Sequence, residues 1–214
     1  MSPPPTRRRR GRPTDRTPAQ TRDLILDAAI EAFAASGYHA PSMSSLAARA
    51  GVSVSGLLHH FPTKVDVLTA ILERRDRIDV ARIENFDPVP RNPFGVLDRI
   101  RTVLVSNLER HELVRLFTVL AGEAFEPDHP GHGWLVSHHE LVRSGIERNL
   151  DNGLREGTVQ PGLNAQLVAT TVVALLDGLQ IQWLIDPERI DMVAAYDTYV
   201  AGLRTLWEIP DRES

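Results

Sequence analysis

"SMSSLAARAGVSVSGLLHHF", residues 42–61, places two short segments with apolar spacing on either side of a Gly-Val-Ser turn. Ser42 is a candidate N-cap for a helix that buries Leu46, Ala47 and Ala50. Gly51 ends that helix, where a left-handed residue is tolerated without steric cost. Val52 supplies the apolar contact of the turn, and Ser53 caps a second helix of only two turns. Two short helices joined this tightly form the helix-turn-helix pattern. The second is slim, polar on its exposed side and free of acids, which suits entry into a major groove. Leu57 is expected to anchor it from below, with Val54, Ser55 and Gly56 facing outwards at its N-terminal end.

The flanking sequence extends this unit in both directions. "TPAQTRDLILDAAIEAFAASG" (17–37) opens with Thr17 as N-cap, Pro18 at the first helical position and Gln20 completing a capping box. Leu24, Ala28 and Ala32 form one stripe beside Ile25, Ala29 and Phe33, and Gly37 stops the helix. Downstream, Thr63 and Asp66 bracket a capping box for a longer fourth helix. Charge follows the same organisation. The 214-residue chain has a net charge of −4, yet residues 1–22 hold seven arginines against Asp15. From Ala32 to Val65 there is no Asp or Glu, only Arg49 and Lys64. An acid-free surface beside a basic tail is what a polyanion requires, because each carboxylate would repel phosphate.

The stretch "ILDAAIEAFAASGYHAPSMSSLAARAGVSVSGLLHHFPTKVDVLTAIL" (25–72) resembles the tetracycline-repressor (TetR) family of bacterial transcription regulators. The resemblance is carried by Gly37-Tyr38, Leu46-Ala47, Ala50-Gly51-Val52-Ser53, His60-Phe61 and Lys64. It implies an all-α fold: a three-helix DNA-binding domain, a larger helical ligand-binding domain behind it, and a homodimer. The corresponding division is a basic arm over 1–16, a helix-turn-helix domain over 17–64 and a ligand-binding and dimerisation domain over 65–214. By the same resemblance Ser44, Val54, Ser55 and Gly56 face bases or the groove, while Ser42, Ser53, His59, His60 and Lys64 face the DNA backbone. Ser42 and Ser53 also serve as caps, and His60 either packs under Phe61 or meets phosphate. One departure stands out: Leu58 occupies a position where the family usually has a phosphate-touching tyrosine. The implied function is a ligand-responsive repressor that binds a palindromic duplex operator and is released by a small organic effector.

The arm adds Arg7, Arg8, Arg9, Arg10 and Arg12 to the expected DNA contacts. Arg10-Gly11-Arg12-Pro13 is similar to the core of an AT-hook, an extended segment that lies in narrow A·T-rich minor grooves. Insertion into the minor groove and non-specific phosphate attraction are both open to it.

The remaining sequence reads as helices without a convincing strand: one from Asn92-Pro93, one over "HELVRLFTVLAGEAF" (111–125), and one from about Trp134 to Gly157. Two more follow, an apolar helix capped by Asn164 and a last one over "MVAAYDTYVAGLRTLW" (192–207). The helix over about 165–185 is apolar nearly all round, so it is expected to bury one side in its own subunit and another against a partner. Asp177, Gln180 and Gln182 argue against a membrane span. Phe117, Glu123, His138, Gln180 and Trp183 are the candidate effector contacts, since a few polar groups among apolar ones orient a ligand.

Glu123, Asp128, His129, His132, His138, His139 and Glu140 form the one constellation that invites an enzymatic alternative, a helical enzyme built on residues 123–140. Against metal binding, His129 and His132 flank Pro130-Gly131, His138 and His139 are adjacent and diverge on a helix, and no His-Glu-x-x-His spacing occurs. No metal or cofactor is expected. The absence of cysteine suits a reducing compartment, and the basic N-terminus lacks the apolar run of a signal peptide, so a cytoplasmic location is expected.

Overall fold

The structure, a computed structural model, describes residues 16–83, 89 and 91–210. Arg7, Arg8, Arg9, Arg10 and Arg12 therefore lie outside the described residues. Among the described residues there are nine α-helices and no β-strand.

Helix α1 (Pro18–Ser36) begins with the expected capping box: Gln20 N–H donates to Thr17 Oγ1 at 3.2 Å, and Thr17 N–H donates to Gln20 Oε1 at 2.9 Å. It ends at Gly37, whose φ of 76° turns the chain sharply out of the helix. Helices α2 (Met43–Arg49) and α3 (Val54–His60) are each seven residues long and start on Ser42 and Ser53. Between them Gly51 takes φ 66°. Helix α4 (Lys64–Ile83) opens on the Thr63–Asp66 box, with Asp66 Oδ2 accepting from Thr63 N–H at 2.8 Å.

Helix α5 (Gly95–Asn107) starts later than Asn92-Pro93 suggested, because residues 92–94 form a turn in which Gly95 N–H donates to Asn92 O. Helix α6 covers His111–Glu123, and α7 runs over His132–Glu156 before Gly157 at φ 71°. Helix α8 (Ala165–Ile185) is capped by Asn164, whose Oδ1 accepts from Leu167 N–H at 3.0 Å. Helix α9 (Met192–Trp207) starts on Asp191.

The helices pack around two cores. The first gathers α1, α2, α3 and the first turns of α4, with Ile25, Phe33, Leu46, Leu57, Leu68 and Ile71 fully buried. It also takes in Leu116, Phe117 and Leu120 from α6. The second joins α5, α7, α8 and α9 through side chains such as Phe94, Leu97, Ile146, Val172 and Tyr196. Tyr196 is buried among them and donates its hydroxyl to Leu97 O at 3.0 Å, and burial pushes its phenol well above the ordinary value. Helix α6 contributes Val114 to this second core and thus lies between the two.

Helix α8 is long and apolar enough to cross a membrane by length and composition, but Ala169, Val172, Leu179 and Trp183 pack it into the second core. Its other side leaves Leu167, Ile181 and Ile185 exposed, next in the chain to α9 with its exposed Leu206.

Candidate nucleic-acid interface and effector cavity

Leu57 fixes α3 to the first core and is completely buried. The opposite side of the helix exposes Val54, Ser55, Leu58 and His59, with Gly56 and His60 partly exposed. Ser53 Oγ accepts from Gly56 N–H at 3.0 Å and shares a hydrogen bond with Ser55 Oγ at 3.1 Å. Ser42 does the same for α2, accepting from Ser45 N–H at 3.2 Å and meeting Ser44 Oγ at 2.8 Å. Both serines therefore cap helices while remaining exposed beside the proposed reading positions. Phe61 is buried, with the Arg22 guanidinium 4.4 Å above its ring. Arg22 brings a cation to this face that the sequence counted only as part of the basic end.

Lys64 is already engaged. Its Nζ donates to His39 O at 2.9 Å and Pro41 O at 3.1 Å, and stands 4.7 Å over the Tyr38 ring. An ammonium has three donors, so these bonds leave one for a phosphate.

Helices α4 to α8 surround a cavity of about 390 Å³. Ligand pockets commonly span about 300–1,000 Å³. The walls are chiefly apolar, with Leu104, Phe117, Val142 and Leu176 among the residues facing it. Three of the expected contacts, Phe117, His138 and Gln180, line this cavity. Arg75 of α4 also lines it, its guanidinium 3.7 Å over the Phe117 ring. Asp177 lines it too; the sequence marked Asp177 only as an argument against a membrane span and did not mark Arg75, since nothing local marks a charge on an amphipathic helix as facing a cavity.

Two expected contacts are elsewhere. Glu123 lies on the side of α6 that continues Leu116 and Leu120, so it faces the end of α1, and its Oε2 accepts Tyr38 N–H at 2.8 Å. Trp183 follows Leu179 by one turn and packs into the second core, edge-on to His111 at 5.3 Å. The sequence pattern offered both as effector contacts, whereas here they touch the end of α1 and the second core: an amphipathic pattern shows that a face is occupied without showing by what.

The histidines between 129 and 139 disperse. His129 is buried, and its Nδ1 accepts from Gly131 N–H at 3.0 Å. Burial, helped by nearby His39, holds its pKa below the ordinary value. His132 Nδ1 is 2.8 Å from Ala124 O and therefore carries the proton. His138 stacks on Trp134 at 4.8 Å with Nδ1 3.7 Å from Asp76, while His139 Nε2 is 3.4 Å from Asp177. Burial acts to raise the Asp76 pKa, but hydrogen bonds from His138 and Trp134 outweigh it and hold the carboxyl below its ordinary value. Among the described residues no three His, Asp or Glu side chains converge on a metal position.

A capped, exposed two-turn helix on a helix-turn-helix core, backed by a helical domain with a cavity, defines a DNA-binding transcriptional regulator. The family described as "Bacterial regulatory proteins, tetR family" matches residues 25–71, and "BetI-type transcriptional repressor, C-terminal" matches residues 99–207. The chain belongs to the TetR family of transcriptional regulators. It is 26% identical to the HTH-type transcriptional regulator TtgR of Pseudomonas putida, covering 85% of this chain and 88% of that one. The fatty acid metabolism regulator protein of Bacillus subtilis is 24% identical, with 79% and 87% covered. A solved structure described as a SmeT–triclosan complex has the same fold, with a TM-score of 0.76 at 19% identity over 89% of this chain and 93% of that one. The family and these relatives are regulators, which sets the enzyme alternative aside.

Proposed function

We propose that the protein is a ligand-responsive repressor: a homodimer that binds a palindromic operator and is released by a small organic effector. The observation that carries this reading is α3, a slim acid-free helix that exposes Val54, Ser55 and His59 while Leu57 holds it rigidly. Val54, Ser55, Gly56 and Ser44 read base edges. Ser42, Ser53, His59, His60 and Lys64, with the arm's Arg7, Arg8, Arg9, Arg10 and Arg12, follow the backbone. The functional division is an arm over 1–16, a DNA-binding domain over 17–64 and a receptor and dimerisation domain over 65–214. Leu58 cannot hydrogen-bond phosphate, so that contact either comes from His59 or is absent.

A two-turn helix makes few base contacts, so two copies are needed for useful affinity. The exposed apolar residues Leu167 and Ile185 of α8, with Leu206 of α9, support twofold pairing through these helices. Phe117, His138 and Gln180, with Arg75, contact the effector in the cavity. The effector prefers a dimer geometry whose α3 helices no longer match successive major grooves, so affinity for DNA falls. A cytoplasmic location is the reading that work on DNA supports.

Selection of duplexes from a random pool by the purified protein tests the reading. An inverted repeat is expected, and Ser55→Ala should change base preference more than salt dependence. Enrichment of no duplex would overturn it.

A further inference from the structure

Helix α6 has two working sides. Thr118, Ala121 and Gly122 face the cavity, whereas Leu116, Leu120 and Glu123 face the DNA-binding core and the end of α1. Cavity wall and core contact are thus adjacent residues on one rigid element. Glu123 Oε2 accepts Tyr38 N–H at 2.8 Å, 85 residues away in sequence. The contact needs the backbone of Gly37: its φ of 76° aims the next amide at α6, and a Cβ there would collide with Glu123 Oε1. The segment so gripped leads directly into the Ser42 cap of α2. It is held from its other side by Lys64, at the start of α4, through His39 O and Pro41 O. Tyr38 itself is buried against Phe33 and His129, with ring centroids 5.5 and 5.3 Å apart.

We propose that the Glu123 carboxylate is a latch through which occupancy of the cavity sets the position of α2 and α3, making it a positioning residue for operator binding. The proposal rests on the receptor reading above. A hydrogen bond of 2.8 Å is lost once its atoms separate beyond about 3.5 Å, so a movement of α6 by roughly 1 Å releases it. A group filling the cavity presses on Ala121 and Gly122, one residue from the latch. The latched arrangement is the one that holds α3 for DNA, and release lets the 37–41 segment, and with it α2 and α3, leave that position.

The test is a double-mutant cycle on the full chain, read by anisotropy of a duplex selected by the wild-type protein. Val142→Trp fills the cavity from α7, far in sequence from the latch, and stands in for an effector. Glu123→Ala should weaken operator binding about tenfold, as expected for losing a hydrogen bond to a charged group. Val142→Trp should weaken it in the wild-type background but by less than about twofold on top of Glu123→Ala. Glu123→Gln, which keeps a neutral acceptor of the same shape, should fall between wild type and Glu123→Ala. It also keeps the cycle usable if the alanine variant folds poorly. Exchange of the Tyr38 amide with solvent should accelerate in both Glu123 variants. Wild-type operator affinity in Glu123→Ala, or an undiminished Val142→Trp effect in that background, would overturn the latch while leaving the receptor reading intact. No effect of Val142→Trp even in the wild-type background would overturn both.

Discussion

The helix-turn-helix core and the cavity are built in opposite ways. The first is assembled from neighbours: Thr17, Ser42, Ser53 and Thr63 each bond a backbone amide three residues on, or accept a partner there, and short helices meet across turns of a few residues. The second is assembled from a distance, with walls drawn from α4 to α8 and residues 75 to 181. A unit made of local bonds keeps its surface whatever the distant helices do. A cavity made by convergence leaves space that a guest can fill. Helix α6 is packed into the first and lines the second.

That contrast can be broken most directly by truncating one aliphatic side chain in each region. Leu57→Ala, in the fully packed first core, should cost about 2–5 kcal/mol in chemical denaturation and abolish operator binding. Val142→Ala, beside existing empty space, should cost under about 1 kcal/mol. Equal losses would show that the cavity is as tightly packed as the first core.

Deleting residues 1–13 should act on DNA binding alone. Each lost phosphate contact lowers the slope of log affinity against log salt by about 0.9, with no change in the thermal midpoint. Loss confined to operators with A·T-rich flanks would assign the arm to the minor groove, whereas uniform loss would assign it to the backbone. An unchanged slope would remove the arm from the interface.

The caps sharpen the comparison further. Ser53→Ala and Asn164→Ala each remove a side-chain acceptor at a helix start, at a cost of about 1 kcal/mol. Only the first should also weaken operator binding, because α3 is seven residues long and carries the proposed reading positions.

The smallest effect expected is on pH dependence. His129 has a depressed pKa in the folded chain, so unfolded chains take up its proton first on acidification. Its contribution to stability is complete above the ordinary histidine value of about 6.5 and is lost as pH falls through the lower folded value. His129→Gln should flatten the loss of stability over that window in denaturation curves taken at successive pH values. An unchanged slope would mean that His129 is protonated as readily folded as unfolded.

The sequence by itself determined the helices and the helix-turn-helix geometry. Gly37, Gly51 and the four capping residues act within a few positions of themselves, and the stripe of Ile25, Ala29 and Phe33 follows from helical periodicity alone. Leu57 as anchor, with Val54 and Ser55 turned outwards, followed from the same short-range geometry. Tertiary structure decided which polar side chains meet. Phe117, His138 and Gln180 share a cavity, while Trp183 fills a core and Glu123 reaches across 85 residues to the amide of Tyr38. Lys64 spends two of its protons on His39 and Pro41, a use its place in the motif did not show. The physical reason is range: a cap or a helical stripe is complete within one or two turns, whereas the face a helix offers to a cavity depends on how five helices cross.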